Sequence, residues 1–146
     1  MTDESGLLGG RGDTADLADV EPLHLELPAE VGPLAGVRHR LTVWTRSAGL
    51  AGVDIESVVL AAYEALANAA EHAFGRGEQG SITLTAELSG GRLRVRVTDT
   101  GRWRAPAADP GMRGRGLRLI EGLAHASSVR PGPGGTTVDM SWHFAT

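Results

Sequence analysis

The sequence contains no cysteine and no lysine. Without cysteine, disulfide scaffolds, zinc ribbons and thiol chemistry are excluded. All 14 of the Lys+Arg residues are arginine, so guanidinium groups, backbone amides or a metal ion would have to hold any bound phosphate. A P-loop needs a lysine after its glycines, and a eukaryotic-type protein kinase needs a lysine on a strand. The absence of lysine therefore excludes both classes.

Long hydrophobic runs are also missing. The longest is VVLAAY at residues 58–63, which is too short to cross a bilayer. The N-terminus lacks a basic-then-apolar signal pattern. Hydrophobic residues make up 41% and charged residues 22% of the chain, as in ordinary globular proteins. We therefore expect a cytoplasmic protein with no membrane contact.

Negative charge is concentrated at the N-terminus. The formal net charge is -4. Residues 1–21 contain several acidic residues and only one basic residue, Arg11. This composition predicts an acidic flexible tail at residues 1–21 and a single domain at 22–146. The acidic balance argues against strong nonspecific nucleic-acid binding. Arg92, Arg94 and Arg96 nevertheless form a basic stripe, either a nucleic-acid patch or a solvated strand face.

Hydrophobic periodicity predicts the secondary structure. LHLEL at residues 23–27 alternates as a strand does, and apolar steps of three or four predict a helix over 31–48. A second helix is predicted from a cap at Asp54 to near Gly75. Alternation on both sides of Ser89-Gly90-Gly91 predicts a β-hairpin. A third helix at 116–126 and a last strand at 136–144 follow, with an added strand near Ser128.

This order of elements predicts the fold class. Two helices precede an antiparallel hairpin, so strict strand–helix alternation is absent from the pattern. We expect an α+β fold, a two-layer sandwich in which helices cover one face of a mixed, mostly antiparallel sheet.

The second predicted helix carries polar residues in EALANAAEH. Glu64, Asn68 and His72 recur at four-residue spacing and share one stripe, nearly opposite the apolar face. A solvated helix side would explain this pattern. Asparagine is, however, a poor helix former in an alanine-rich helix, and its carbonyl oxygen is a ligand that Mg²⁺ accepts.

VTDTG closes the second hairpin strand. It places Asp99 at the strand terminus and Gly101 at a sharp turn, as in a loop that covers a ligand. An aspartate at this position is also a common turn former. The following segment, 102–113, has no period and is long for a connection, which favours a functional loop such as a lid.

RGRGLRLIEGLA places Gly114 and Gly116 before a predicted helix. The free amides of a helix start suit phosphates, glycines allow close backbone approach, and Arg113 and Arg115 add charge. An ordinary flexible start of a helix would give the same pattern.

The ordered set of these motifs resembles the GHKL ATPases, the superfamily of gyrase, heat-shock chaperone, histidine kinase and mismatch-repair ATP-binding domains. EALANAAEH resembles the N box, VTDTG the adenine-binding box, RGRGLRLI the glycine-rich lid box and GGTTV the final box, over about residues 22–144. Within the superfamily the chain is most similar to bacterial anti-sigma-factor serine kinases, because the stretch between Gly101 and Gly114 is short.

The resemblance implies a Mg-ATP site. Asn68 would bind Mg²⁺, Asp99 would accept a hydrogen bond from the adenine amino group, and Gly101 would make room for the base. Thr136 or Thr137 would support the adenine side. The implied nucleotide-binding residues are Asn68, His72, Asp99, Gly101, Gly114, Arg115, Gly116, Leu117, Thr136 and Thr137.

The resemblance also implies catalytic roles. Glu64 would act as the base that accepts the proton of the incoming hydroxyl. Arg115, or alternatively Arg113, would neutralise the γ-phosphate. The activity implied is a serine/threonine protein kinase that phosphorylates a STAS anti-sigma antagonist and regulates a sigma factor by partner switching. The resemblance also implies that a partner protein docks at Arg38 and that the chain forms a homodimer. It implies no direct contact with nucleic acid.

Two other functions stay open. Trp103, in GRWRAP, stands where many relatives have a glycine, which favours a non-catalytic module that uses ATP only to control a partner. In the second alternative the domain binds no nucleotide. Mg-ATP would then cause no shift in its unfolding temperature.

Overall fold

The computed structural model describes residues 20–28, 34–72, 80–100, 118–132 and 135–144. Two helices and five strands are assigned in these ranges: β1 (Leu23–Pro28), α1 (Leu34–Ser47), α2 (Gly52–His72), β2 (Ser81–Ser89), β3 (Arg92–Asp99), β4 (Ala126–Gly132) and β5 (Gly135–His143). A short helical segment at 118–123 precedes β4. None of the described helices combines the length and the hydropathy needed to span a bilayer.

The five strands form one sheet in the order β1-β2-β3-β5-β4. Each described strand pair is antiparallel, and α1 and α2 pack against each other while α2 also contacts β2 and β3. This arrangement confirms the predicted α+β class. The β2–β3 hairpin and the added strand near Ser128, now β4, are confirmed as well.

Strand alternation divides the sheet into two faces. On β3, Leu93, Val95 and Val97 are buried toward the helices, while the arginines between them lie on the other face. Trp142 of β5 is fully buried, and its indole Nε1 donates to the Leu123 carbonyl at 2.9 Å. The apolar core therefore lies between the helices and one face of the sheet, and the other face is polar.

Two predicted helix boundaries are wrong. Asp54 lies in the first turn of α2 and is not its cap, since the helix begins at Gly52 and the Ile55 amide donates to the Ala51 carbonyl at 2.9 Å. The third helix does not reach Ala126, which begins β4. Its end is set by sheet pairing, because the His125 amide bonds to the Ser141 carbonyl at 2.9 Å.

Most of the predicted acidic tail lies outside the described residues. Its last two residues contact the domain: Val20 packs against the core, and the Glu21 carbonyl accepts a 2.8 Å hydrogen bond from Trp44 Nε1. The chain just before β1 is thus tied to the helix layer.

Gly135 lies too close to the Asp99 backbone for any residue with a side chain. Its φ is 143°, and a Cβ built there would lie 1.8 Å from the Asp99 carbonyl oxygen. No side chain fits at that distance. Gly36, inside α1, is a contrasting case, because a Cβ there would meet no atom within 4 Å.

We predict opposite stability effects for alanine at these two glycines. Gly135→Ala should lower the free energy of unfolding by about 2 kcal/mol or more, because strand β5 must move away from Asp99. Gly36→Ala should raise it by roughly 0.5–1 kcal/mol through helix propensity and a less flexible unfolded chain. Urea unfolding curves measure both values, and a Gly135→Ala variant as stable as the wild type would contradict the close approach.

Candidate nucleotide site

Asp99 ends β3 on the face of the sheet that the helices cover. The residue is only 3% exposed, and in the strand register it lies opposite Thr136 of β5. The Thr136 amide donates to Asp99 Oδ1 at 3.4 Å. A carboxylate this buried is costly unless polar partners compensate it. Its position at a strand end, beside a second buried polar residue, marks this end of the sheet as polar inside the core.

Thr136 adds an unsatisfied hydroxyl to the same place. The residue is 1% exposed, and its Oγ1 has no hydrogen-bond partner among the residues that the structure describes. Leaving a buried polar group unpaired costs roughly 1–3 kcal/mol. A bound ligand with a complementary polar atom would remove that cost.

Thr137, the other threonine named from the sequence, points to the opposite face. Its Oγ1 lies 3.4 Å from Thr98 Oγ1, and neither residue is fully buried. Of the two threonines, Thr136 is therefore the one that shares a face with Asp99.

Asn68 is the second buried polar residue without a full set of partners. It is 7% exposed, and its Nδ2 has no hydrogen-bond partner within the described ranges. The interpretation of its stripe as a solvated helix side is therefore wrong for Asn68. The physical reason is that α2 packs both on α1 and on the sheet, so the buried arc of α2 extends over about half of its circumference.

Glu64 lies one helical turn before Asn68 and is half-buried. A carboxylate in this position retains access to an incoming group. His72 is the last residue of α2, and its side chain is outside the described part. The residues of the predicted turn after β3 and of the predicted glycine-rich lid lie outside the described ranges as well, and their roles stay predictions. They are Gly101, Trp103, Arg113, Gly114, Arg115, Gly116 and Leu117.

These polar groups suit a nucleotide with a metal ion. A buried carboxylate accepts from an exocyclic amine, and an amide offers a carbonyl oxygen to a cation and an NH₂ group to an anion. The described residues hold no cluster of three or more His, Cys, Asp or Glu side chains able to cage a metal ion. Mg²⁺ that is bound together with phosphates commonly takes only one or two ligands from the protein.

Sequence reasoning missed two features of the sheet. It gave no role to Gly135, although GGTTV places a glycine directly before the strand. It also missed the ion pairs of Asp139 with Arg96 and Arg130, which depend on strand register and have no signal in the local sequence.

The chain is also similar to known proteins. Residues 27–142 match the family model described as a histidine kinase-like ATPase domain. The chain is 33% identical over 81 residues to the serine-protein kinase RsbW of Listeria innocua and, equally, to that of Listeria monocytogenes. The matched part is 56% of this chain and 52% of each relative. The chain thus spans about half the length of these curated relatives.

Solved structures give the same result for the fold. A structure of the RsbU and RsbW domains of Rv1364c from Mycobacterium tuberculosis has a TM-score of 0.72 and 30% identity, covering 87% of this chain and 33% of that one. The histidine kinase domain of a blue-light activated kinase from Erythrobacter litoralis has a TM-score of 0.58 at 24% identity, with 80% and 61% covered. From the family match over most of its length, we conclude that the chain belongs to the histidine kinase-like ATPase domain family.

Proposed function

We propose that this chain is an ATP-dependent serine/threonine protein kinase of the anti-sigma-factor type. It would act in the cytoplasm, transfer the γ-phosphate of ATP to a STAS anti-sigma antagonist, and regulate a sigma factor by partner switching. Family membership implies ATP binding, and the similarity to RsbW serine-protein kinases supports the choice of reaction. The observation that carries the proposal is the buried Asn68 Nδ2, which has no hydrogen-bond partner in the described residues.

Asn68 has two polar ends with different uses. In the proposal its carbonyl oxygen would ligate Mg²⁺, and its NH₂ group would donate to a phosphate oxygen. Mg²⁺, when bound, supplies charge neutralisation across the phosphates. The buried carboxylate of Asp99 accepts from the adenine amino group, with the Thr136 hydroxyl beside it. The sequence motif suggests that Gly114, Gly116 and Leu117 would form the glycine-rich lid over the phosphates.

Glu64 is assigned the role of general base. Phosphoryl transfer depends mainly on positioning and charge neutralisation. As the hydroxyl oxygen of the substrate serine or threonine bonds to the γ-phosphorus, the bond to the departing ADP breaks and the Glu64 carboxylate takes the hydroxyl proton. Arg115 would neutralise charge on the transferred group.

Arg38 is the proposed docking residue for a protein partner. It is exposed on α1, and its guanidinium lies 5.1 Å from the centre of the Tyr63 ring on α2. This cation–π contact limits the freedom of the Arg38 side chain. Tyr63 also precedes Glu64 in the chain, so a partner bound at Arg38 would reach the helix that carries the base. Homodimerisation is part of the same proposal.

We predict that Asn68→Ala separates stability from binding. The apo variant should be more stable than the wild type by roughly 0.5 kcal/mol, because alanine favours the helix and an unpaired buried donor is removed. Mg-ATP at about 100 times the wild-type Kd should add roughly 2.7 kcal/mol to the wild type and much less to the variant. Thermal and urea unfolding with and without Mg-ATP measure both effects. Lower apo stability with unchanged Mg-ATP stabilisation would contradict the assigned role.

We predict that Asp99→Asn narrows the preference for ATP over GTP. Guanine carries a carbonyl where adenine carries its amino group, so the wild-type carboxylate should favour ATP. Because the amide of the variant can donate as well as accept, the ratio of the affinity for ATP to that for GTP should fall by about tenfold or more. Titration calorimetry with both nucleotides measures the ratio. Asp54→Asn, the same change in the first turn of α2, is the control and should leave the ratio as it is.

We predict that Glu64→Gln abolishes most transfer while nucleotide binding persists. Loss of a general base lowers rates by roughly 10²–10⁴-fold. Labelled γ-phosphate transfer to a STAS protein encoded beside this chain measures the rate. Equal transfer by Glu64→Gln would remove Glu64 from the role of base. Tight ATP binding by the wild type with no transfer to such a partner would instead favour the non-catalytic module indicated by Trp103.

A further inference from the structure

The open face of the sheet carries a groove that the proposed nucleotide site does not use. Arg92, Arg94 and Arg96 of β3 and Arg130 of β4 line it, and we call it the arginine groove. Its volume is about 330 Å³. The other lining residues are Ala126, Ser127, Ser128, Asp139, Met140 and Ser141.

The groove and the nucleotide site lie on opposite faces of the same strands. Arg92, Arg94 and Arg96 alternate along β3 with the buried residues that end in Asp99. Successive side chains of a strand point to opposite faces. A ligand in the groove would therefore contact a surface separate from that of Asp99 and Thr136.

Asp139 fixes two of the four guanidinium groups. Arg96 Nε lies 2.8 Å from Asp139 Oδ1, and Arg130 Nη2 lies 2.6 Å from Asp139 Oδ2. The Asp139 side chain is 18% exposed, whereas those of Arg96 and Arg130 are 41% and 59% exposed. Each arginine therefore keeps donors that face solvent while its position is held.

The other two guanidinium groups lie near one acidic residue in the strand register, since Glu87 of β2 is opposite Arg94. Within the described residues, Arg92 and Arg94 form no ion pair. The described residues that line the groove thus include four arginines and one aspartate, although the whole chain has a net charge of -4. A local cationic surface on an acidic protein favours an anionic ligand through charge complementarity.

The composition of the groove disfavours a nucleic acid. None of the described residues that line it is aromatic, so these residues offer no platform on which bases could stack. The sequence pI is about 5.7, far below that of typical nucleic-acid-binding domains. Guanidinium forks and serine hydroxyls are instead good donors to carboxylates.

The spacing of the arginines fits an extended polypeptide. Residues i and i+2 of a strand are roughly 7 Å apart, both for Arg92, Arg94 and Arg96 and for alternate side chains of an extended ligand. β4 is also an edge of the sheet, with most of its residues exposed. We propose that the arginine groove binds an extended acidic segment of a partner protein, with carboxylates at alternate positions.

The test uses the whole chain and a labelled 12-residue peptide of alternating Glu and Ser, with fluorescence anisotropy as the readout. Arg92→Gln/Arg94→Gln should weaken binding by about tenfold or more. Arg40→Gln/Arg46→Gln removes the same charge from exposed positions on α1 and should change binding by less than about twofold at 0.15 M salt, where distant charges are screened. A Gln–Ser peptide should not bind.

Three further measurements keep the result interpretable. Urea unfolding establishes that both double variants are folded, and Arg92→Lys/Arg94→Lys, which keeps charge and loses the fork, should recover part of the binding. Saturating Mg-ATP should leave the affinity for the peptide unchanged. Peptide binding can therefore fail while nucleotide binding is observed, and nucleotide binding can fail while peptide binding is observed.

The opposite outcomes are equally definite. No binding of the acidic peptide, or equal losses in the groove and α1 variants, would overturn the proposal. Tighter binding of a 12-nucleotide oligothymidine with the same dependence on Arg92 and Arg94 would overturn it in favour of a nucleic acid.

Discussion

The antiparallel register between β3 and β5 aligns Asp99 with Thr136 and Arg96 with Asp139. Because side chains alternate across a strand, a shift of one residue would exchange the buried and exposed sets. The approach of Gly135 to the Asp99 backbone fixes this register at its end, since no other residue fits there. The polar end of the core and the cationic outer face therefore both depend on one strand pairing.

The candidate site is unfavourable for the folded chain on its own. Asn68 and Thr136 each bury a polar atom that has no partner in the described residues, and such atoms reduce stability. Retaining them makes sense where a ligand supplies the partners, since proteins tend to break packing rules at functional positions. Most of α2 follows those rules, with alanine, leucine and valine against α1 and the sheet, and Asn68 is its exception.

Much of the fold could be predicted from the sequence, because strong local patterns agree with the tertiary structure. The alternation in β2 and β3 and the glycines between them specify a hairpin without reference to other elements. The burial of Asn68 could not be predicted in this way, because it depends on α2 having two packing partners. The predicted end of the third helix is wrong because the backbone hydrogen bond between His125 and Ser141 overrides helix propensity there. The contact between Asp139 and two arginines likewise needs the register of three strands.

The two faces of the sheet also differ by residue parity. On β3 the odd-numbered positions from Leu93 to Asp99 face the helices, and on β5 the even-numbered positions from Thr136 to Trp142 do. Neighbouring positions in the chain thus belong to different surfaces. Changes at one parity alter the apolar interior, and changes at the other alter mainly the outer surface, with Gly135 as an exception because of its approach to the Asp99 backbone. The chemistry of one surface of the sheet can therefore change without altering the packing of the other.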